Sequence, residues 1–246
     1  MVKYIPSTKT LPYLVVDNYF SEIEVRSMLN ELHTLRPKME YQEPEIYDGT
    51  DPIDTKKNRS ISLDSVYNSR EDSYIMRTLH NIYQDKHLEK KLKSLSWFYD
   101  AINHVNLDST FASYYENSDY YKRHKDISVI SIMYWLWEEP KSFEGGDIYF
   151  PDFDEKISVK RNRFVIMPSS TSHEVDSIKY VGDEEGMGRY SIIKFLYIYQ
   201  AEHTRMLSQL MNRVGFNETQ EQWKQVKELT MKLKRQEKQI KEIKDK

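Results

Sequence analysis

The sequence predicts a mainly β protein with flanking helices, an α+β chain built on a sandwich or jelly roll. Between about residues 106 and 200 run the stretches "STFASYY", "ISVISIMYWLW", "GGDIYFPDF", "KISVKRNRFVIMP" and "RYSIIKFLYIY". Each is rich in β-branched and aromatic residues and bounded by Gly-Gly, Pro-Asp or Asn, which is strand chemistry separated by turn chemistry. The chain has nineteen Tyr and only seven Gly. The Tyr cluster in these same stretches, where aromatic rings suit a half-buried pleated surface.

Taken in order, "LPYLVVDNYFS" reads as a short apolar strand ending at Asp17-Asn18. Ser21 with Glu24 three residues on forms a capping box that opens the helix "EIEVRSMLNELHTL", whose apolar stripe is Met28, Leu29, Leu32 and Leu35. The Asp/Pro/Gly-rich segment 43–58 is too long for a tight turn and is either a mobile functional loop or simply disordered. A helix is expected over roughly 70–94, burying Ile75, Met76, Leu79, Ile82, Tyr83 and Leu88. After the strands, the chain from 206 to 246 returns to helix with a thin stripe of Trp223, Val226, Leu229, Leu233, Ile240 and Ile243. That pattern suits a solvated helix docking on the core or on a partner, and offers a contact for a homodimer.

Composition narrows the chemistry. The formal net charge of −3 gives no general pull toward nucleic acid, which is disfavoured as a partner despite a basic tail. The absence of Cys excludes disulfides, thiolate metal sites and cysteine nucleophiles, leaving His and carboxylates to hold any metal. No run of eighteen apolar residues and no leader-like N-terminus is found, so the expectation is a soluble cytoplasmic protein without membrane contact.

The chemistry-bearing residues begin at "YYKRHKD", where His124 and Asp126 stand two apart just before the apolar strand 127–137 and would share one face of an extended chain. Alone, such a pair is ordinary in a chain with seven His. A second histidine, His173, follows the strand "RFVIM" and the small, polar turn "PSSTS", a position that faces a cavity rather than a packed core. Two His and one carboxylate match the facial triad of non-haem Fe(II), although Zn could occupy the same ligands. Downstream, Arg189 and Ser191 lie on one strand face and Lys194 on the other. A planar guanidinium with a neighbouring hydroxyl suits the distal carboxylate of a dicarboxylate chelating the metal.

The series Tyr115, Tyr121-x-x-His124-x-Asp126, "FEGGDIYFPDF", "NRFVIMPSSTSHEV" and Arg189-x-Ser191 resembles the Fe(II)/2-oxoglutarate-dependent dioxygenases, in their prolyl-4-hydroxylase-like branch. The likeness is strong over 106–199 and weaker upstream, in "LPYLVVDNYFSEIEV" and "NRSISL". It implies a double-stranded β-helix, the cupin-like jelly roll, in an oxygenase domain of residues 1–205 followed by a helical tail, 206–246. It further implies His124, Asp126 and His173 as iron ligands and catalytic centre, with Arg189, Ser191 and Tyr115 binding 2-oxoglutarate. The doublet Tyr114-Tyr115 leaves that register open by one, and Gly145-Gly146 is the turn feeding the strand 147–150. The implied cofactors are Fe(II), 2-oxoglutarate and O2, with ascorbate as a candidate reductant. The implied reaction is hydroxylation of a prolyl or other side chain in a polypeptide, with release of succinate and CO2. A free amino acid or small-molecule substrate and a non-catalytic metal-binding jelly roll are the alternatives. His173 and Arg189 are sixteen residues apart, longer than expected for the branch, so "VGDEEGMG" must loop out. Trp135 stands where some relatives carry a cosubstrate-contacting tyrosine.

Overall fold

The computed structural model describes residues 2–7, 11–41, 56–181 and 188–198. The expectations for 42–55, for the "VGDEEGMG" loop, for the Tyr83 side chain and for the tail with its homodimer contact lie outside the described residues. In chain order the strands and helices are β1 (Lys3–Pro6), β2 (Leu14–Asp17), α1 (Glu22–Leu35), β3 (Glu40–Tyr41), β4 (Lys56–Lys57), β5 (Arg59–Ser62) and α2 (Leu63–Val66). There follow α3 (Tyr74–Gln84), α4 (Lys86–Leu95), β6 (Leu107–Tyr115), β7 (Tyr120–His124), β8 (Ile130–Leu136), β9 (Phe143–Gly145) and β10 (Ile148–Phe150). The last strands are β11 (Glu155–Ile157), β12 (Arg163–Pro168), β13 (His173–Val175), β14 (Ile178–Tyr180) and β15 (Arg189–Tyr197).

The strands form an eight-stranded sheet in the order β1-β2-β12-β8-β15-β6-β5-β3 and a five-stranded sheet in the order β11-β10-β13-β7-β4. A two-stranded ribbon, β14-β9, completes the set, and every pairing is antiparallel. This is the jelly-roll arrangement of a double-stranded β-helix. The eight-stranded sheet is covered on both faces, which is why β8 is buried throughout instead of alternating. Its Ile130, Ile132, Tyr134 and Leu136 pack with Met28, Leu29 and Leu32 of α1 and Leu79 of α3. Its Met133 and Trp135 point the other way, to Phe150 and Ile148 of the smaller sheet. Helices therefore buttress one face and the barrel interior lies on the other.

Helix α1 forms where expected, with the reciprocal Ser21/Glu24 capping box and with Met28, Leu29, Leu32 and Leu35 buried. The single helix expected over 70–94 is instead two. Asp85 adopts an extended conformation between α3 and α4, and its carboxylate accepts from His87 N at 2.8 Å and Leu88 N at 3.2 Å. A side chain that caps the next helix so well ends the preceding one, because both cannot use the same backbone groups. The strand β1 was not foreseen. It pairs along β2, with Tyr4 opposite Val16 and Ile5 opposite Val15. No helix among the described residues is long and apolar enough to cross a membrane.

Asp85 also accepts from the Tyr19 hydroxyl at 2.9 Å, so it ties α4 to the residues before α1. Replacing it by Ala should lower stability by roughly 1–2 kcal/mol, the usual worth of an N-cap, measured as a shift in the denaturant midpoint. An unchanged midpoint would show that the break between α3 and α4 is not set by this cap.

Candidate active site

His124 ends β7 and His173 begins β13, and the two are directly opposed in the antiparallel register. Adjacent strands thus bring two imidazoles together, with ring centroids 4.2 Å apart. Each ring is fixed in the same way. His124 Nδ1 lies 2.8 Å from the carbonyl of Lys122 and His173 Nδ1 lies 2.9 Å from the carbonyl of Thr171. A carbonyl only accepts, so each Nδ1 carries the proton and each Nε2 keeps a free lone pair. Both Nε2 atoms face Asp126, at 3.9 Å from Oδ1 and 3.9 Å from Oδ2 respectively, and ligand atoms of all three residues lie within 4.8 Å of one another.

Asp126 does not share a strand with His124, as the two-residue spacing predicted, and the long strand begins at Ile130 rather than 127. The carboxylate sits in the connection that carries the chain from the five-stranded to the eight-stranded sheet. Serines hold it there. The Ser131 hydroxyl donates to Asp126 Oδ2 at 2.6 Å and lies 2.8 Å from the Ser169 hydroxyl, while Asp126 N donates to Ser169 O at 3.0 Å. Arg123, paired with Asp152, also donates from Nε to the Ser172 hydroxyl at 2.8 Å, so β7 is clamped to the turn that delivers His173. His173 itself is 1% exposed, deeper than its polar turn suggested.

Burial, then the neighbouring His173, holds the His124 imidazole well below its ordinary range, and burial pushes the Asp126 carboxyl up. The neutral ring is the form that ligates a metal. A cation bound between these residues would offset the burial that disfavours the ionised carboxylate. Two available Nε2 atoms, one carboxylate and no thiolate fit the donor set of a non-haem iron site.

The second half of the site lies on β6 and β15. Arg189 is directly opposed to Tyr115, and its guanidinium carbon sits 4.4 Å from the Tyr115 ring centroid. The residue is 1% exposed. Its Nη2 donates to Gly146 O at 3.0 Å, but Nε and Nη1 meet no acceptor among the described residues. Such buried donors are rare unless a ligand completes them, and a carboxylate is the acceptor that a guanidinium fork matches. Burial lowers the Arg189 guanidinium to about 10, so it remains cationic at neutral pH. Burial also pushes the Tyr115 hydroxyl up to about 12, which keeps it a proton donor.

The register also puts the two tyrosines on opposite faces of β6. Tyr115 packs in the barrel interior, whereas Tyr114 faces the helices and accepts from Gly188 N at 3.0 Å. Ser191 is interior and buried, opposite Ser113. Lys194 points to the opposite face, as the alternation requires, where it is fully buried beside Asp108 Oδ2 at 3.0 Å. Sequence reasoning missed the role of Gly146. A Cβ there would stand 2.8 Å from Arg189 Nε, and the backbone is left-handed at φ +73°. The Gly-Gly pair is a visible signal for such a close approach. The serine ladder behind Asp126 had no comparable signal.

Residues 109–197 match a family described as the 2OG-Fe(II) oxygenase superfamily. Among solved structures, a prolyl-4-hydroxylase from Pseudomonas putida aligns at 15% identity over 78% of this chain and 95% of its own, with a TM-score of 0.55. An oxidoreductase of the 2OG-Fe(II) oxygenase family from Burkholderia pseudomallei aligns at 13% identity over 76% of this chain and 86% of its own, with a TM-score of 0.47. IDO from Bacillus thuringiensis aligns at 16% identity over 76% of this chain and 91% of its own, with a TM-score of 0.46. No curated protein matches the chain.

Gly146 offers a direct check on the Arg189 pocket. Its replacement by Ala should weaken binding of a dicarboxylate such as 2-oxoglutarate by on the order of tenfold, because strain at a positive φ and displacement of Nε act together. Calorimetric titration of the Mn(II)-loaded protein measures it. Unchanged affinity would mean that Arg189 can move without consequence.

Proposed function

We propose that the chain, whose residues 109–197 match the 2OG-Fe(II) oxygenase superfamily, is an oxygenase that hydroxylates a C–H bond of a prolyl or other side chain in a polypeptide. The observation that carries the reading is the buried Arg189 guanidinium with two nitrogens that meet no acceptor among the described residues, in the same barrel as the His124, Asp126 and His173 cluster. When bound together, Fe(II), 2-oxoglutarate and O2 supply the oxidation, in which the cosubstrate becomes succinate and CO2 and one oxygen atom enters the substrate C–H bond.

The chain's own residues divide the remaining work. His124, Asp126 and His173 hold the metal, their tautomers preset by the Lys122 and Thr171 carbonyls and their carboxylate by Ser131. Arg189 pairs with the distal carboxylate of 2-oxoglutarate, and the Tyr115 hydroxyl and Ser191 add donors beside it. The apolar interior, with Met133, Trp135, Phe150 and Met167, excludes water from the oxidising centre. An open depression of about 250 Å³ lies along β7 and β13, the strands that carry the two histidines, and is lined by Tyr120, Tyr121, Lys122, Glu174 and Val175. The likeness in fold to a prolyl-4-hydroxylase supports a polypeptide substrate.

Substituting His173→Ala or Asp126→Ala should abolish Fe(II)-dependent succinate formation and lower bound iron, with the unfolding midpoint little changed. Full turnover with iron retained in either variant would remove the cluster from the reaction. Arg189→Ala should raise the 2-oxoglutarate requirement on the order of thirtyfold or more, since one side of a desolvated charge pair is lost. Arg189→Lys should do less harm because the charge is kept and the fork is not. For the substrate, succinate should form in step with a hydroxylated prolyl-containing peptide. A free amino acid giving the same stoichiometric coupling, with peptides inert, would overturn the polypeptide reading.

A further inference from the structure

Asn58 is the one residue between β4 and β5, and there the chain crosses from one sheet to the other. Lys56 and Lys57 pair with Tyr121 and Tyr120 of β7, in the five-stranded sheet, and Arg59 and Ser60 pair with Tyr114 and Ser113 of β6, in the eight-stranded sheet. Continuing that antiparallel register by one residue sets Asn58 opposite Tyr115, and the period of two directs both side chains to the barrel interior. Asn58 is 2% exposed, and its carboxamide lies close enough to the Tyr115 hydroxyl to favour the ionised phenol, as an N–H donor does. Its Oδ1 has no partner among the described residues. The amide therefore meets the phenol through its N–H and turns its oxygen away.

A phenol has one proton to give. While Asn58 donates to the Tyr115 oxygen, that proton stays free to point into the cleft, beside the Arg189 Nε and Nη1 atoms that also lack an acceptor. The Tyr115 hydroxyl then adds a donor to those that Arg189 keeps open. An acceptor at position 58 would instead capture the phenol proton and leave a lone pair facing any incoming carboxylate. We propose that Asn58 is a positioning residue for the cosubstrate, fixing Tyr115 as a hydrogen-bond donor to the distal carboxylate of 2-oxoglutarate. This rests on the assignment of Arg189 and Tyr115 to that carboxylate. No residue of the metal cluster is involved, and the effect falls on cosubstrate affinity more than on turnover at saturation.

The test is calorimetric titration of 2-oxoglutarate into the full-length, Mn(II)-loaded protein. Asn58→Asp keeps the size of the side chain and can only accept when ionised, so it should weaken binding by on the order of tenfold. Asn58→Ala, which carries no charge, should weaken it by a few-fold. Because Asn58 acts through Tyr115, adding either change to Tyr115→Phe should cost little beyond Tyr115→Phe alone. Wild-type affinity in both single variants would overturn the inference, as would penalties that persist undiminished beside Tyr115→Phe, since those mark plain charge repulsion or general damage. Arg189→Ala in the same titration separates the two levels. If it also binds normally, the pocket assignment itself falls; if it alone is impaired, only the role of Asn58 does.

Discussion

A buried guanidinium that has no carboxylate bonded to it among the described residues constrains the rest of this structure. Arg189 is 1% exposed, and among the described residues its polar company is one carbonyl, one aromatic ring and, without a direct ion pair, the Asp147 carboxylate. A charge left in this state costs the fold several kcal/mol. The surroundings are arranged to bear that cost. Gly146 has no side chain to collide with Nε, its carbonyl accepts Nη2, and the electron-rich face of Tyr115 lies 4.4 Å from the guanidinium carbon. The long pairing of β15 with β6, from Arg189 opposite Tyr115 to Tyr197 opposite Leu107, fixes these groups on one rigid ladder. In the proposed reading a carboxylate ligand relieves the instability left over, so that affinity for the cosubstrate and the cost of burying the charge have one origin.

The metal cluster follows the same logic with the opposite charge. Burial pushes the Asp126 carboxyl up and the His124 imidazole down, so the protein alone favours the less charged form of each. The hydrogen bonds leave the ligating atoms ready. Carbonyls two residues upstream take the Nδ1 protons of both histidines, and Ser131 holds one carboxylate oxygen. The sheets supply rigidity and the crossing between them supplies Asp126, so three ligands from three segments meet without a mobile loop among them.

Much of this was readable from the residues. The capping box at Ser21 and Glu24, the apolar stripe of α1 and the bracketing of β8 by turn residues are local patterns, and local patterns survive folding. His124, Asp126, His173 and Arg189 stood out because few residue types can do their chemistry. What sequence did not reveal was set by tertiary contact. Asp85 ends a helix only because it caps the next one and accepts from distant Tyr19. Asp126 leaves the strand of His124 because Ser169, on a remote segment, draws its backbone away. The choice of Tyr115 over Tyr114 depended on which face of β6 meets the helices, which a doublet of identical residues cannot disclose. Asn58 closed the Asp/Pro/Gly-rich segment 43–58, and nothing in that segment pointed to its place between two sheets.

Thermal unfolding of the Mn(II)-loaded protein, with and without 2-oxoglutarate, tests the central claim most directly when wild type is compared with Arg189→Met. If the buried charge is held for the ligand, the Met variant should be the more stable of the two without cosubstrate, by about 1–4 kcal/mol, since apolar replacement of buried charge is commonly neutral or stabilising. It should also lose the rise in Tm that 2-oxoglutarate gives the wild type. A Met variant that is less stable than wild type, yet still gains the full shift on adding 2-oxoglutarate, would contradict the account.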